Sequence, residues 1–252
     1  MNLDLKGKNI LVTGGSRGIG KAMVKGLLLA GGRVAMQYHQ NAAAADEMKN
    51  TFGEQLILLK ADLSQPDQCN QLLTNATNQL GGLHVLINNA GIALFSPLNK
   101  PDEEWLADWE QTLRVNLISA SVLCKKAIEI FIPHGGGRII NISSRAAFRG
   151  DTSDFWAYAA SKGGLVSLTR SIARAFGKEN IMAFNIAPGF VRTDMAQDFI
   201  DRYGEQKVLD DIALNRLTIP EDLVPMIILL ASGSADHATG TTIDFNAGSY
   251  VH

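Results

Sequence analysis

The 252-residue chain is sparing in cysteine and proline, has no long apolar run and carries little net charge. Its two cysteines, Cys69 and Cys124, lie far apart and form no C-x-x-C pair. That excludes a disulfide framework and a cysteine zinc site, and it fits reduced thiols in an intracellular protein. Lys and Arg total 23 against 25 Asp and Glu, a net charge of −2, so electrostatics nominate neither nucleic acid nor an anionic membrane as partner. The longest apolar run, Val224 to Ala231, contains Pro225 and falls far short of the ~20 residues that cross a bilayer. Met1-Asn2-Leu3-Asp4-Leu5-Lys6 lacks the apolar core of a secretory signal. Seven prolines stand against 24 glycines. Without a G-x-y period, that glycine excess indicates tight turns and close backbone approaches rather than a collagen-like chain. The expectation is a soluble, cytoplasmic protein with no metal, nucleic-acid or membrane partner.

What is present is a globular balance, 46% hydrophobic and 19% charged, which excludes intrinsic disorder. Short β-rich runs alternate with longer helical stretches. Asn9–Thr13, Arg33–Tyr38, Gln55–Lys60, Leu83–Asn88, Gly137–Ile142, Ile181–Ile186 and Thr241–Phe245 read as strands. Several are apolar almost throughout, as parallel strands covered on both faces must be. Amphipathic segments begin near Gly18, Ala42, Pro66, Pro101, Asp154, Asp194 and Pro220. The alternation predicts an α/β fold: one doubly wound, seven-stranded parallel sheet with right-handed crossovers and helices on both faces. No linker, charge block or repeat divides the chain, so residues 1–252 read as a single domain.

The first strand runs into Thr13-Gly14-Gly15-Ser16-Arg17-Gly18-Ile19-Gly20, which opens a helix. Gly14 permits a tight turn, Gly18 lets backbone approach a pyrophosphate, and Gly20 lets the helix pack on the strand. The helix N-terminus supplies N–H donors and a positive dipole. The G-x3-G-x-G spacing is not the G-x-G-x-x-G fingerprint, and a structural βα turn remains the alternative. A Walker A loop is excluded, since no Gly-Lys-Ser/Thr follows. The second strand ends in Gln37-Tyr38-His39-Gln40-Asn41, where an NAD site places Asp or Glu against the adenosine ribose. No acid appears before Asp46, and Arg17 is placed to meet a 2′-phosphate. The residues favour NADP(H), with NAD(H) also open; a solvated loop arginine is the competing account of Arg17.

Tyr158-Ala159-Ala160-Ser161-Lys162 begins a helical stretch, so Tyr158 and Lys162 share a face. A free tyrosine titrates near ~10, and a neighbouring ammonium is expected to lower that value toward the working range of a general base. Such pairs also occur on helix surfaces; context distinguishes them. Ser143-Ser144 follows the fifth strand at its carboxyl end, the ligand-binding edge of an open α/β sheet. A serine there can donate to a carbonyl oxygen while Tyr158 passes it a proton. There is no G-x-S-x-G elbow, so a hydrolase nucleophile is not favoured.

With these motifs in order, the chain resembles the short-chain dehydrogenase/reductases over essentially its whole length, nearest to 3-oxoacyl-(acyl-carrier-protein) reductase-like members. Thr13–Gly20 resembles the family's cofactor turn, and its basic position, seen in NADP(H)-preferring members, is Arg17 here. The resemblance implies cofactor contacts from Gly14, Ser16, Arg17, Gly18, Ile19 and Gly20, and from His39 at the end of the second strand. Asp62-Leu63 matches the adenine-contacting acid, and Asn88-Asn89-Ala90-Gly91 the N-N-A-G motif, with Asn89, Ala90 and Gly91 lining the cleft. Pro188-Gly189, Val191 and Thr193 match the loop that closes on the nicotinamide. Asn116, Ser144, Tyr158 and Lys162 match the catalytic set. The roles implied are Tyr158 as general acid/base, Lys162 on the nicotinamide ribose, Ser144 polarising the carbonyl, and Asn116 holding a water in the relay.

Two departures stand out. The interval from Ser144 to Tyr158 is one residue longer than in many of the family's carbonyl reductases, and it carries Arg145, Phe148, Arg149, Phe155 and Trp156. Phe245-Asn246-Ala247-Gly248 replaces the common V-D-G-G, which affects C-terminal packing rather than chemistry. Residues 190–216 are expected to form a substrate lid. Its Met195, Phe199, Tyr203 and Leu209 fit amphipathic packing at least as well as recognition. Arg145 and Arg149 suggest an anionic substrate, against the commoner reading as exposed loop arginines. The expected activity is NADP(H)-dependent interconversion of a small-molecule ketone and a secondary alcohol. An NAD-dependent sugar or polyol dehydrogenase and a non-catalytic dinucleotide sensor are the alternatives. The family implies a homotetramer, with helices around Trp105–Ile132 and Tyr158–Phe176 as the expected interface.

Overall fold

The computed structural model describes residues 3–193, 196, 200–201 and 204–251. Seven strands form one sheet: β1 (Asn9–Val12), β2 (Arg33–Tyr38), β3 (Leu56–Lys60), β4 (Val85–Asn88), β5 (Gly137–Ile142), β6 (Ile181–Pro188) and β7 (Thr242–Phe245). Their order is β3-β2-β1-β4-β5-β6-β7, and every neighbouring pair is parallel. The winding reverses between β1 and β4, so the crevice at their carboxyl ends is the topological switch point where such sheets bind ligands.

The strands are apolar almost throughout because both faces are covered. Ile10 and Val12 of β1, Val34 and Met36 of β2, Ile140 and Ile142 of β5, and Phe184 and Ile186 of β6 face one core. That core is closed by helices α1 (Gly18–Leu29) and α2 (Ala42–Phe52) and by an apolar C-terminal helix over Val224–Ser232. The alternating residues Leu11, Ala35, Leu86, Ile139 and Ala183 face a second core. It is closed by α3 (Pro66–Leu80), α5 (Ser119–Phe131) and α7 (Trp156–Phe176). Period-two side-chain direction thus divides each strand between two cores.

The helical stretch expected around Trp105–Ile132 is present and carries a π turn. α4 (Asp102–Leu113) runs into a single π-helical turn, Arg114–Ile118, before α5 begins. The wide turn brings the Asn116 side chain inward, where it donates to Ile92 O and accepts from Ile92 N–H, both at 2.8 Å. Inserted turns of this kind recur at functional sites. A short helix, α6 (Ala146–Arg149), follows Ser144, and α8 (Glu205–Leu209) and α9 (Val224–Ser232) lie in the C-terminal part of the chain. Where a helix is expected from Asp194, Ala196, Ile200 and Asp201 are helical, while Asp194 and the lid side chains Met195, Phe199 and Tyr203 lie outside the described residues.

Candidate active site

A cleft of about 950 Å³ runs along the carboxyl ends of the strands, from Gly14, His39 and Asp62 on the β2 side to Ser144 and Tyr158 on the β5 side. Its phosphate-sized end is built by the glycine-rich turn. The Thr13 hydroxyl accepts from the N–H groups of Asn89 (3.0 Å) and Ala90 (3.1 Å), while Asn89 Nδ2 donates to Thr13 O and Gly14 O at 2.9 and 3.1 Å. Asn89 and Ala90 therefore clamp the turn from behind. Gly14 has φ +64°, and a Cβ there would lie 2.9 Å from Ala90 Cα.

A Cβ on Gly20 would lie only 2.0 Å from Gly14 O. Gly20 thus packs α1 against the turn itself, not against the strand as the sequence suggested. Gly18, at φ +50°, has Thr193 Cγ2 of the closing loop as the nearest neighbour a Cβ would meet, at 3.2 Å. The α1 N-terminus has no side-chain cap, since Arg17 in the N-cap position makes none. Uncapped N–H groups with glycine at their rim form an anion site. Ser16, Arg17 and Ile19 line the same wall. Arg17 is exposed and makes no ion pair with any described residue.

At the adenine-sized end, His39 and Asp62 share the wall with Leu63. Burial tends to raise the Asp62 pKa, but the Ser64 amide and hydroxyl and the nearby His39 together hold it below the usual carboxylate value. The Ser64 N–H bond to Asp62 Oδ1 measures 2.9 Å.

At the opposite end, Tyr158 lies in the first turn of α7 and Lys162 one turn later, both facing the cleft. Lys162 is buried, 4% exposed, and burial pushes its pKa down to about 8. Its Nζ donates to Ile142 O at 2.9 Å and stands 5.6 Å from the centre of the Tyr158 ring. Burial raises the Tyr158 pKa above its ordinary value, the Ser144 hydroxyl hydrogen-bonds the phenol and partly offsets this, and Asp151 adds to the rise. The expectation that Lys162 lowers the tyrosine pKa is therefore not met in this arrangement. The ammonium is directed at a main-chain carbonyl, and desolvation of the phenol dominates. A protonated phenol beside a hydroxyl is a pair of donors suited to a carbonyl oxygen.

Ser144 Oγ also accepts the Ala146 N–H at 3.1 Å. Asn116 is not on the cleft wall; it lies one layer behind, 1% exposed, and donates to Ser161 Oγ at 3.0 Å. A Cβ on Gly91 would sit 3.2 Å from Lys162 Nζ and 3.4 Å from Asn116 Oδ1, so this glycine lets the two approach. Pro188, Gly189, Val191 and Thr193 close the cleft beside Phe190. Gly189 rests on Asn246, with a would-be Cβ 2.7 Å from its Cα. Asn246, in the departed C-terminal motif, accepts from Gly248 N–H at 3.0 Å and donates to Tyr250 O at 2.9 Å, so it carries that loop.

All the other residues expected to act in catalysis or to contact the cofactor line one continuous cleft. Gln37, Leu94, Gln111 and Val115 line it as well and were not singled out. A polar Gln37 within an apolar strand was the visible signal for the first; helix α4 offered none for Gln111. Arg145 is mostly buried rather than an exposed loop arginine. Arg145 and Arg149 both bind Asp211 Oδ2, at 2.7 and 3.3 Å, tying the segment after Ser144 to the region expected as lid.

The residues fit the dinucleotide that the resemblance implies. The turn excludes side chains where phosphates approach, and a buried amine with one protein acceptor faces the cleft at its far end. Among the described residues, no cluster of side chains suited to a metal ion is present, and no helix is long and apolar enough to cross a membrane.

Comparison with known proteins agrees. The family model for short chain dehydrogenases matches residues 8–204. The 3-oxoacyl-(acyl-carrier-protein) reductase of Aquifex aeolicus is 32% identical, covering 99% of this chain and all of the relative. The 2-dehydro-3-deoxy-D-gluconate 5-dehydrogenase of Escherichia coli is 33% identical, covering 97% of this chain and 96% of the relative. A short chain dehydrogenase from Burkholderia cenocepacia, solved in complex with NADP, superposes with a TM-score of 0.89 at 29% identity, covering 97% of this chain and 98% of that one. The chain belongs to the short-chain dehydrogenase/reductase family of oxidoreductases.

Proposed function

We propose that the protein is an NADP(H)-dependent oxidoreductase that interconverts a small-molecule ketone and a secondary alcohol, with residues 1–252 acting as one dinucleotide-binding domain. The observation that carries this reading is the meeting of Ser144, Tyr158 and Lys162 at one end of a cleft whose other end is the Gly14–Gly20 turn. A bound nicotinamide would supply or accept the hydride. In reduction, Ser144 and Tyr158 donate hydrogen bonds to the carbonyl oxygen, and Tyr158 gives it the proton as the hydride reaches the carbon. Lys162 spends one donor on Ile142 O, which leaves N–H groups for ribose hydroxyls. Asn116 supports the relay from behind Gly91.

Arg17 in the turn and His39 just after β2 support NADP(H): among the described residues Arg17 has no ion-pair partner to compete with a 2′-phosphate, and no acid stands at the strand end. The NADP complex of the Burkholderia relative is consistent with that preference. The E. coli relative acts on a sugar acid, which keeps an NAD-linked sugar or polyol dehydrogenase as the second reading. The pairing of Arg145 and Arg149 with Asp211 weakens the case for an anionic substrate. Exposed Leu106, Ile118 and Trp156 on the α4–α5 and α7 surfaces support a homotetramer, checked by light scattering in solution.

The test is a carbonyl panel assayed in parallel with NADPH and NADH. The expected result is NADPH oxidation with at least one ketone, lost by at least ~100-fold in Tyr158→Phe, in line with the usual contribution of general acid catalysis. Full activity in that variant overturns the mechanism. Tight NADPH binding with no turnover on any carbonyl indicates a sensor instead.

A further inference from the structure

Gln37 is the one long polar side chain buried within the β2 core, 2% exposed, on a strand otherwise filled by Val34, Ala35 and Met36. Both halves of its amide are used. Oε1 accepts the Gly14 N–H at 2.7 Å, and Nε2 donates to Ala61 O at 2.7 Å. Its own main-chain carbonyl accepts the Gly15 N–H at 2.9 Å. Because the Gly14 N–H can only donate and the Ala61 carbonyl can only accept, the amide orientation is unambiguous.

These bonds link two walls that the chain itself keeps far apart. Gly14 and Gly15 begin the pyrophosphate turn, and Ala61 precedes Asp62-Leu63 on the adenine side. Gly15 is fixed against the same strand independently: a Cβ there would lie 2.3 Å from Met36 Cγ. Asp62 is held in turn by Gln68 Oε1, which accepts its N–H at 2.7 Å. The turn, the end of β2 and the end of β3 are thus one hydrogen-bonded unit with Gln37 at its centre. The Gly14 and Gly15 amides are committed to β2, which leaves the α1 N-terminus to meet phosphate.

We propose that Gln37 is a positioning residue that sets the spacing between the pyrophosphate turn and the adenine wall, and so the affinity for either dinucleotide. This rests on the cleft being a dinucleotide site. Gln37 acts through Gly14 and Ala61, so it affects the adenosine half common to NADPH and NADH. It stands away from Ser144 and Tyr158, so the chemical step is untouched once the site is filled.

The experiment is fluorescence titration of the full-length protein with NADPH and with NADH, alongside kcat at saturating NADPH, for wild type, Gln37→Met and Gln37→Asn. Methionine keeps the length and loses both bonds; asparagine keeps the amide but is one methylene too short to reach both partners. Expected in Gln37→Met is a rise of about tenfold in Kd for both dinucleotides, as for loss of a buried amide pair. The NADPH/NADH ratio and kcat stay within about twofold. Gln37→Asn should give the same split at smaller size, and it decides the matter if the methionine variant does not fold. Wild-type affinities in a folded variant overturn the proposal, as does a changed NADPH/NADH ratio or a reduced kcat at saturation. A wild type that binds neither dinucleotide overturns the functional reading instead, so the two failures are distinct.

Discussion

Replacing the buried lysine of the candidate active site should make the protein more stable and inactive. Lys162 is 4% exposed, and burial takes its pKa from 10.5 to about 8. At 1.36 kcal/mol per pK unit, keeping this ammonium charged at pH 7 costs the folded state about 3 kcal/mol. Lys162→Met removes that cost but leaves Ile142 O without its 2.9 Å donor, an offset of about 1 kcal/mol. The net expectation is about 2 kcal/mol of added stability at pH 7, or roughly 4–8 °C in Tm for a chain of this size. The sign with pH follows from linkage. The folded pKa lies below the unfolded one, so between about pH 8 and 10.5 the unfolded wild type binds more protons and wild-type stability rises with pH. The advantage of the variant is therefore full below pH 8 and shrinks toward pH 10.5. Urea denaturation of both proteins at pH 7, 8.5 and 10 measures it, and other titrating groups cancel in the difference. A variant less stable than wild type at pH 7, or a difference independent of pH, refutes the reasoning. Active sites commonly store such destabilisation.

Two other outcomes follow from charges outside the cleft. His84 Nδ1 accepts the Asn9 N–H at 3.0 Å, and burial, with Lys8, Arg138 and His134 nearby, lowers its pKa below 6.5. Its contribution to stability is complete above pH 6.5 and falls as the pH drops below that value; the urea midpoint should fall less steeply between pH 6.5 and 5 in His84→Gln, and equal slopes refute this. Asp211→Ala should cost about 1 kcal/mol and raise the KM for the carbonyl substrate while leaving the NADPH Kd unchanged, because Arg145 and Arg149 then lose their tie to the segment after Leu209. Calorimetry and steady-state kinetics check the pair of effects, and an unchanged KM argues against a role for that tie in substrate binding.

The sheet was legible because parallel strands covered on both faces must be apolar on both. β2 and β5 begin and end where that pattern predicts, and the others agree to within two residues. β6 runs on to Pro188 because Ala187 and Pro188 pair with Asp244 and Phe245 of β7, a long-range partner that local pattern does not contain. The π turn within the helical stretch from Asp102 to Phe131 was not legible. The π turn is set by Asn116 reaching Ile92, a contact invisible in the helix's own sequence. At the site, glycine spacing and the Tyr158–Lys162 pair marked the walls. The pKa order did not follow from spacing, since it depends on burial and on where the Lys162 amine points.

The side chains beneath the cleft explain why its walls hold their shape. Asn88, Asn141 and Asn185 occupy in-register positions on β4, β5 and β6, with Thr242 next on β7. Asn88 Nδ2 donates to Asn141 Oδ1 at 2.8 Å, and Asn141 Nδ2 to Thr169 Oγ1 on α7 at 2.8 Å. Asn185 Nδ2 donates to Ser143 Oγ at 2.7 Å, immediately before Ser144. One row of amides therefore orients both the helix that carries Tyr158 and Lys162 and the loop that carries Ser144. An apolar row would fill the same volume but fix neither neighbour, because packing contacts are less directional than hydrogen bonds. Gln37 serves the cofactor end of the sheet in the same way. The polar residues that interrupt these apolar strands thus lie one layer below the chemistry, where direction matters more than burial energy.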